Sequence, residues 1–239
     1  KIQYNLSYLN SDFSLQDLAK GFEKNPNGRI CLYGYPGTGK TAFAHYMADR
    51  LNKPIIEKRA SDLLDKFVGG TEKNIASMFD EARQENALLL LDEADSFIQD
   101  RSNAFHSWEI TLVNEILVQM ENYKGIFFCS TNLMHNLDSA SLRRFDLKIK
   151  FDYLTPEQSW QLFLQTVKDF GRTINKGNQD LIRRRLDELK NLTPGDYAVI
   201  NRQSQFRDSK MTVHQVIEAL CKESSLKPDS RQKAIGFTS

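Results

Sequence analysis

This sequence has almost no net charge, few cysteines and no long apolar run. Its 239 residues include 32 Lys and Arg and 31 Asp and Glu, which gives a formal net charge of +1. With so small a basic surplus, charge gives no reason to expect binding to nucleic acid or to an anionic membrane surface. No apolar run approaches the roughly 20 residues that a membrane-spanning helix needs, so we expect no membrane segment. We find no internal repeat or low-complexity tract, and we expect these residues to include no signal peptide.

The three cysteines, Cys31, Cys129 and Cys221, are an odd number and form no Cys-x-x-Cys pair. Because Cys31 and Cys129 fall within predicted strands, we interpret them as buried apolar residues in a reducing, cytoplasmic compartment. A redox or metal role is the alternative. The chain begins at Lys1 rather than at Met, so we expect it to be a piece of a longer protein.

The most informative segment is a glycine-rich turn at 34–41, which reads Gly-Tyr-Pro-Gly-Thr-Gly-Lys-Thr. An apolar, β-prone stretch precedes it at 29–33 and helix-forming residues follow it at 42–48, so the context is strand, turn and helix. Glycines lack a Cβ atom, which lets the backbone of such a turn aim several N–H groups at phosphate oxygens near the start of the helix. The turn therefore predicts a site for a nucleoside triphosphate. The alternative is an ordinary flexible turn.

Two side chains of this turn have predicted roles of their own. Lys40 would reach the β- and γ-phosphates, and the Thr41 hydroxyl would bind Mg²⁺. The predicted nucleotide-binding residues of the segment are Gly34, Tyr35, Pro36, Gly37, Thr38, Gly39, Lys40, Thr41 and Ala42.

Asp92 and Glu93 directly follow a second apolar run, at 87–91. A continuous apolar run is typical of a strand buried on both faces, as in a parallel sheet. The carboxyl ends of parallel strands share one edge, so the two acids would lie beside the glycine turn. We expect Asp92 to hold Mg²⁺, directly or through water, and Glu93 to orient and polarise an attacking water. The alternative is the acidic start of a solvated helix.

Strand and helix patterns alternate up to about residue 152, and helices follow. The predicted strands are 29–34, 54–60, 87–92, 125–131 and 147–152. Alternation of this kind predicts an α/β fold with a doubly wound parallel sheet of five strands over residues 1–152. A smaller helical domain at 153–239 would begin at Thr155, which has the N-cap pattern of a helix, with further helices near 178–190, 195–205 and 212–224.

Four segments together resemble the AAA group of AAA+ ATPases, which are P-loop NTPases and include katanin and the FtsH-type ATPases. The segments are the turn at 34–41, the acidic run at 90–95, the strand end Ser130-Thr131-Asn132, and Leu-Asp-Ser-Ala-Ser-Leu-Arg-Arg-Phe-Asp at 137–146. The resemblance covers nearly the whole chain. It implies a helical lid over ATP and Mg²⁺, and a homo-oligomeric ring, with a hexamer as the expected state.

The resemblance also implies roles for three polar residues. Asn132 would be a sensor that bonds the γ-phosphate or the lytic water, unless it belongs to an ordinary turn. Arg143 and Arg144 would enter the ATP site of a neighbouring subunit as arginine fingers. In the family these two arginines are separated by Pro-Gly, whereas here they are adjacent, so which one reaches the phosphate stays open. The alternative is a pair of surface arginines near a helix end.

Further expectations concern the substrate and the lid. By resemblance, Phe67 and Val68 would line a central pore and grip a polypeptide, the alternative being a Phe packed in the core. Residues 100–108 would be a second pore-facing loop.

In the lid, Gly195, Asp196 and Ala198 would contact the adenine and ribose, and Arg202 or Arg207 could contact phosphate. The run at 183–185 is expected to be a solvated helix face.

The sequence thus predicts Mg²⁺-dependent ATP hydrolysis by a ring, coupled to remodelling, unfolding or translocation of a protein substrate. One alternative is an ATP-binding switch or scaffold that gates assembly with little turnover. A DEAD-box helicase, suggested by the acidic run, is disfavoured because the chain has no second RecA-like half and no basic surface.

Overall fold

A computed structural model of the chain describes residues 5–65, 67, 69–95, 107–132 and 139–227, without the side chains of 107–112, 139, 140 and 176. Strands β1 to β6 span Asn10–Ser11, Gly28–Gly34, Ile55–Arg59, Leu88–Asp92, Ile126–Thr131 and Leu147–Asp152. Helices α1 to α10 span Leu15–Lys24, Lys40–Arg50, Ala60–Leu63, Gly70–Gln84, Ser107–Asn122, Ser139–Leu142, Pro156–Asp169, Lys176–Asp187, Pro194–Gln205 and Val213–Ser225. One short 3₁₀ helix, Leu6–Tyr8, precedes β1.

In the described ranges the sheet has six strands in the order β1-β6-β2-β5-β4-β3. Neighbouring strands are parallel except β1, which pairs antiparallel with β6. The predicted α/β class is confirmed, and all five predicted strands are present with ends within one residue of those expected. The predicted count of five is wrong by one. The additional strand has two polar residues, which are too few to produce an alternating pattern.

The central strands bury side chains on both faces of the sheet. On β4, Leu88 and Leu90 pack with α1 and α2 on one face, while Leu89 and Leu91 pack with α4 and α5 on the other. All four leucines are 0% exposed, and each contributes on the order of 1.5–3 kcal/mol by leaving water. This explains why β4 has a continuous apolar run and why the acids that follow it emerge only at its carboxyl end.

Cys31 and Cys129 lie in β2 and β5 as direct neighbours across the parallel pair. Both are buried and free, and burial raises the pKa of the Cys31 thiol to about 12. Burial likewise raises the pKa of Cys129. Their interpretation as buried apolar residues is confirmed.

Helices α7 to α10 pack around a core of their own, which includes Trp160, Phe163, Tyr197 and Leu220. The predicted start at Thr155 is confirmed: Gln158 N donates to Thr155 Oγ1 at 3.2 Å, and Thr155 N donates to Gln158 Oε1 at 3.0 Å. The three later helices lie within three residues of their predicted ends.

The arginine run at 183–185 lies on α8. Arg184 and Arg185 are exposed. Arg183 instead pairs with Glu157 at 2.6 Å and lies over the Trp160 ring. Its side chain is 42% exposed, so the run faces solvent as expected, with Arg183 in a surface ion pair.

Backbone contacts hold the helical part against the sheet. Leu154 N, just after β6, donates to Leu192 O at 2.8 Å, and Gly195 N at the start of α9 donates to Gly37 O at 2.9 Å. The start of α9 therefore lies on the glycine turn, at the carboxyl edge of the sheet. None of the helices in the described part of the chain has the length and apolar character needed to cross a membrane.

Candidate nucleotide site

The glycine turn joins β2 to α2, and its backbone needs glycine at its first position. Gly34 has φ +136°, and a Cβ atom there would lie 1.9 Å from the carbonyl oxygen of Phe151 on β6. Gly39 has φ +101° and directly precedes α2. Because α2 begins at the end of this turn, the positive end of its dipole faces the same space as the turn.

Lys40 is bound by three oxygens. Its Nζ donates to the carbonyl oxygens of Gly34 at 2.7 Å and Tyr35 at 2.9 Å, and to Asn132 Oδ1 at 2.9 Å. Burial lowers the pKa of Lys40 to about 8, although the carboxylates of Asp92 and Asp95 act in the opposite direction. The ammonium therefore lies between the glycine turn and the end of β5.

The two predicted Mg²⁺ ligands are hydrogen-bonded to each other. Thr41 Oγ1 donates to Asp92 Oδ2 at 2.8 Å, and Glu93 N donates to Asp92 Oδ1 at 2.9 Å. Glu93 has φ +52°, an uncommon value for a residue with a side chain, which makes a sharp turn directly after β4. Its side chain is exposed, so solvent has access to its carboxylate.

Asn132 follows β5, and its backbone is hydrogen-bonded to the carboxylate of Asp95. Asn132 N donates to Asp95 Oδ1 at 2.9 Å, and the hydroxyl of Thr131 donates to the same oxygen. The sequence assigned Asp95 only to the acidic run and missed this contact. The sequence signal for this contact was the position of Asp95 three residues after Asp92, where a turn brings its side chain back to the end of the neighbouring strand.

These groups surround a cleft of about 400 Å³, whose lining comes from the glycine turn, two strand ends, the N-terminal segment and the start of α9. The residues that line it are Leu9, Pro36, Gly37, Gly39, Lys40, Thr41, Ala42, Asp92, Glu93, Ser130, Asn132, Pro194, Gly195 and Ala198. Leu9, Ser130 and Pro194 were not predicted. The remaining eleven were, and they are brought together here.

Four predicted nucleotide-binding residues are not among those that line the cleft: Gly34, Tyr35, Thr38 and Asp196. The Tyr35 ring stacks on Tyr153 at 4.0 Å between ring centroids, and Thr38 Oγ1 donates to Tyr35 O. Gly34 lies behind the turn against Phe151. These residues do not line the cleft; they help to define the conformation of the glycine turn.

Asp196 completes a capping box at the start of α9, where Thr193 is the N-cap residue. Its Oδ2 accepts from Thr193 N at 2.7 Å, from Thr193 Oγ1 at 3.0 Å and from Lys227 Nζ at 2.6 Å. The side chain is buried and does not line the cleft, so its contact with the nucleotide stays a prediction.

A larger cavity, of about 710 Å³, lies between α9 and α10 and is lined in part by Phe206 and Arg207. It contains none of the groups of the turn or the strand ends, so we place the chemistry in the smaller cleft. Neither Arg207 nor Arg202 lines the smaller cleft.

A model of the family described as "ATPase family associated with various cellular activities (AAA)" matches residues 30–153, just over half of the 239-residue chain. The chain belongs to the AAA family. The matched range runs from β2 to the residue after β6 and includes all parts of the cleft that come from the sheet. The resemblance to a AAA+ ATPase module with a P-loop NTPase fold is thereby confirmed.

Relatives of this AAA module include longer proteins. Spastin of Drosophila melanogaster is 30% identical over 178 residues, which cover 71% of this chain and 23% of spastin. The proteasome-associated ATPase of Nocardia farcinica is 32% identical over 178 residues, covering 63% of this chain and 30% of that protein. The chain thus spans less than a third of the length of these relatives.

A solved structure with a similar fold is a chain of the HORMA:CdnC:Trip13 complex of E. coli MS115-1. The TM-score is 0.68, and the alignment covers 92% of this chain and 97% of that chain. The sequence identity is 19%, so the likeness concerns the fold alone.

Arg143 and Arg144 are exposed and lie at the opposite end of the sheet from the cleft. Asp146 N donates to Arg29 O at 2.8 Å, which places the residues after α6 beside the start of β2. Five residues separate Arg29 from Gly34, or about 17 Å at the usual rise of a strand. Arg144 pairs with Glu121 at 2.7 Å.

Phe67 lies on the loop before α4 and is 80% exposed. The alternative, a Phe packed in the core, is therefore wrong. Val68 and residues 100–106 lie outside the described residues, so the proposed partner of Phe67 and most of the second loop stay predictions.

Proposed function

We propose that this AAA module hydrolyses ATP with Mg²⁺ as one subunit of a ring, with a hexamer as the expected state. The observation that carries the proposal is the cleft, because it gathers Lys40, Thr41, Asp92, Glu93 and Asn132 at one edge of the sheet. Each has the chemistry that hydrolysis of a terminal phosphate requires. We also propose residues 1–152 as the nucleotide-binding domain and 153–239 as its lid.

The glycine turn and Lys40 bind the phosphates. A bound γ-phosphate offers anionic oxygens that replace the carbonyl and amide oxygens now held by Lys40, which compensates its burial more fully. Asn132 then has its amide available for the γ-phosphate or the lytic water. Glu93 orients and polarises that water from the exposed turn after β4.

Thr41 and Asp92 fit Mg²⁺. Nucleotide-bound Mg²⁺ uses one or two protein oxygens together with phosphate oxygens and waters, so a hydroxyl and a carboxylate in direct contact are sufficient. In the described ranges no group of three or more His, Cys, Asp or Glu side chains offers a dedicated metal site. When bound, Mg²⁺ neutralises charge that develops on the phosphates.

The lid covers the rest of the nucleotide. Leu9 and Ala198 supply apolar surface on either side of the cleft, and Gly195 allows α9 to approach the turn closely. We assign the base and ribose to this side, with Asp196 supporting the contact through its capping box with Thr193.

The placement of Arg143 and Arg144 supports a site shared between subunits. They lie beside Arg29 at the start of β2, and about 17 Å of strand separates Arg29 from the glycine turn, so we assign these side chains to an ATP site other than their own. A neighbouring subunit in a ring would supply them instead. Arginine fingers of this kind raise turnover by about 10³- to 10⁵-fold, so an isolated subunit is expected to be a slow enzyme.

We further propose that hydrolysis drives remodelling, unfolding or translocation of a polypeptide through Phe67 and Val68. The exposure of Phe67 supports this, because a large apolar side chain on a surface loop is available to a partner. A relative that is named as associated with the proteasome also favours a protein substrate. The free, buried Cys31 and Cys129 agree with a reducing cytoplasmic compartment.

Phosphate release measured against protein concentration tests the ring proposal. Specific activity is expected to rise steeply as subunits assemble, with Glu93→Gln as the inactive control. An ATP-binding switch would instead stay near the background rate at every concentration, even where light scattering detects assembled rings.

A further inference from the structure

Asp95 links the ends of two neighbouring strands, β4 and β5. Its Oδ1 accepts two hydrogen bonds, from the Thr131 hydroxyl and from the Asn132 backbone N–H. Directly before it, Ala94 N donates to Ser130 O at 2.9 Å. The turn after β4 is therefore fastened to three consecutive residues at the end of β5.

The donors at the end of β5 need this acceptor. The parallel pairing of β2 with β5 ends at Tyr33 and Thr131, so the N–H of Asn132 lies beyond the ladder. Thr131 is 0% exposed, so its hydroxyl is shielded from bulk water, and Asp95 supplies a hydrogen-bond acceptor for it. A carboxylate oxygen can accept both bonds, and bonds to a charged acceptor are shorter and stronger than bonds to a neutral one.

Asn132 connects the hydrogen bonds of Asp95 to the cleft. Its side chain is exposed and reaches Lys40 Nζ at 2.9 Å through Oδ1. Within the described residues its backbone is held on the far side by Asp95. Asp95 itself does not line the cleft. Its charge acts on Lys40, and its two hydrogen bonds act on a bound phosphate through Asn132.

We propose that Asp95 is a positioning residue for ATP hydrolysis, which aims the Asn132 amide at the terminal phosphate by holding the backbone at the end of β5. This rests on the proposed function of the cleft. A misplacement of about 1 Å can cost on the order of 100-fold in rate, so a brace that fixes one backbone N–H is sufficient to matter. Binding of ADP, which has no γ-phosphate, does not depend on it.

The test compares Asp95→Ala with Asp95→Asn in the full chain. Asp95→Ala removes the acceptor, and we expect kcat to fall roughly 10- to 100-fold while KM and the affinity for ADP change little. Asp95→Asn keeps an acceptor oxygen without the charge and is expected to retain most of kcat. Asp12→Ala is a matched control, because Asp12 Oδ1 accepts from the backbone N–H of Lys150 at 2.8 Å elsewhere in the same sheet.

A double-mutant cycle separates a positioning role from general support of the fold. If Asp95 acts through Asn132, Asp95→Ala lowers kcat in the wild-type background and has no further effect in Asn132→Ala. Equal losses in both backgrounds overturn the proposal, and so does an unchanged kcat in Asp95→Ala. A kcat that falls as much in Asp12→Ala, or an ADP affinity that falls with kcat, also overturns it.

A binding measurement tests the positioning role of Asp95 without requiring turnover. The wild-type chain is expected to bind a non-hydrolysable ATP analogue more tightly than ADP, and Asp95→Ala to lose that preference at unchanged ADP affinity and melting temperature. A wild-type chain that shows the preference but no turnover at any concentration contradicts the proposed function and leaves the positioning role standing. A preference that persists in Asp95→Ala contradicts the positioning role.

Discussion

The hydroxyl of Thr41 and the carboxylate of Asp92 meet at 2.8 Å, although 51 residues separate them. Thr41 lies in the first turn of α2 and Asp92 closes β4, so their contact joins the glycine turn to the strand that carries the acids. This contact gives the cleft its site for a hard cation, since both groups offer oxygen ligands.

We expect Thr41→Val to lose the part of ATP affinity that depends on Mg²⁺. Valine keeps the shape of the side chain but cannot ligate or donate, so with Asp92 as the remaining protein ligand the affinity with Mg²⁺ should fall toward the level measured in EDTA. Titration of a fluorescent ATP analogue with and without Mg²⁺ measures this. Thr212→Val, at the N-cap of α10 and away from the cleft, is a control for loss of a hydroxyl. A Mg²⁺ effect of wild-type size in Thr41→Val would exclude Thr41 as a ligand.

Glu93→Gln should retain ATP binding and lose nearly all turnover. Glutamine has a similar shape and keeps an acceptor, but it cannot polarise water as a carboxylate does. General-base catalysis of this kind is worth about 10²- to 10⁴-fold. Equilibrium binding and phosphate release on the same preparation provide the two readouts, and hydrolysis at the wild-type rate would remove Glu93 from the mechanism.

Mixing experiments should identify the arginine that acts on a neighbour. Arg143→Ala and Arg144→Ala are each combined with Glu93→Gln subunits, whose arginines are intact. Because Arg144 is engaged with Glu121 and Arg143 has no ion pair among the described residues, we expect activity to be rescued most in the mixture that contains Arg143→Ala. Lack of rescue at both positions would contradict a site shared between subunits.

Gly195→Ala should weaken nucleotide binding without unfolding the chain. A Cβ atom at Gly195 would lie 2.9 Å from the Cα of Gly37, so α9 must move away from the glycine turn. We expect a loss in ATP affinity on the order of tenfold, or about 1.4 kcal/mol. Gly177→Ala on α8, where the added atom meets nothing within 4 Å, is the matched control. Equal affinities in the two variants would argue against contact between the lid and the nucleotide.

The sheet could be predicted from the sequence because its central strands are buried on both faces. The run that ends at Leu91 has no polar residue to interrupt it, and the turn that ends at Thr41 has a pattern shared by few other segments. Those two motifs identify the carboxyl edge of the sheet, so the sequence alone predicts that Asp92 and Glu93 lie there.

The remaining parts depend on contacts that leave no local pattern. Leu9 reaches the cleft because Asn10 pairs with Asp152, and no pattern near Leu9 in the sequence predicts that pairing. Asp196 was assigned to the nucleotide by resemblance, but its carboxylate is taken up by Thr193 and by Lys227, 31 residues further along the chain. The Thr-x-x-Asp spacing is typical of a capping box, whereas the contact with Lys227 leaves no pattern in the sequence.

Calorimetric titration of Mg²⁺-ATP into the Glu93→Gln chain tests the central claim most directly, because this variant should hold ATP without consuming it. We predict saturable binding of one ATP per chain, and loss of that binding in a Lys40→Ala, Glu93→Gln double variant with an unchanged melting temperature. Absence of heat from folded Glu93→Gln protein, or equal binding by the double variant, would contradict the assignment of the cleft as an ATP site.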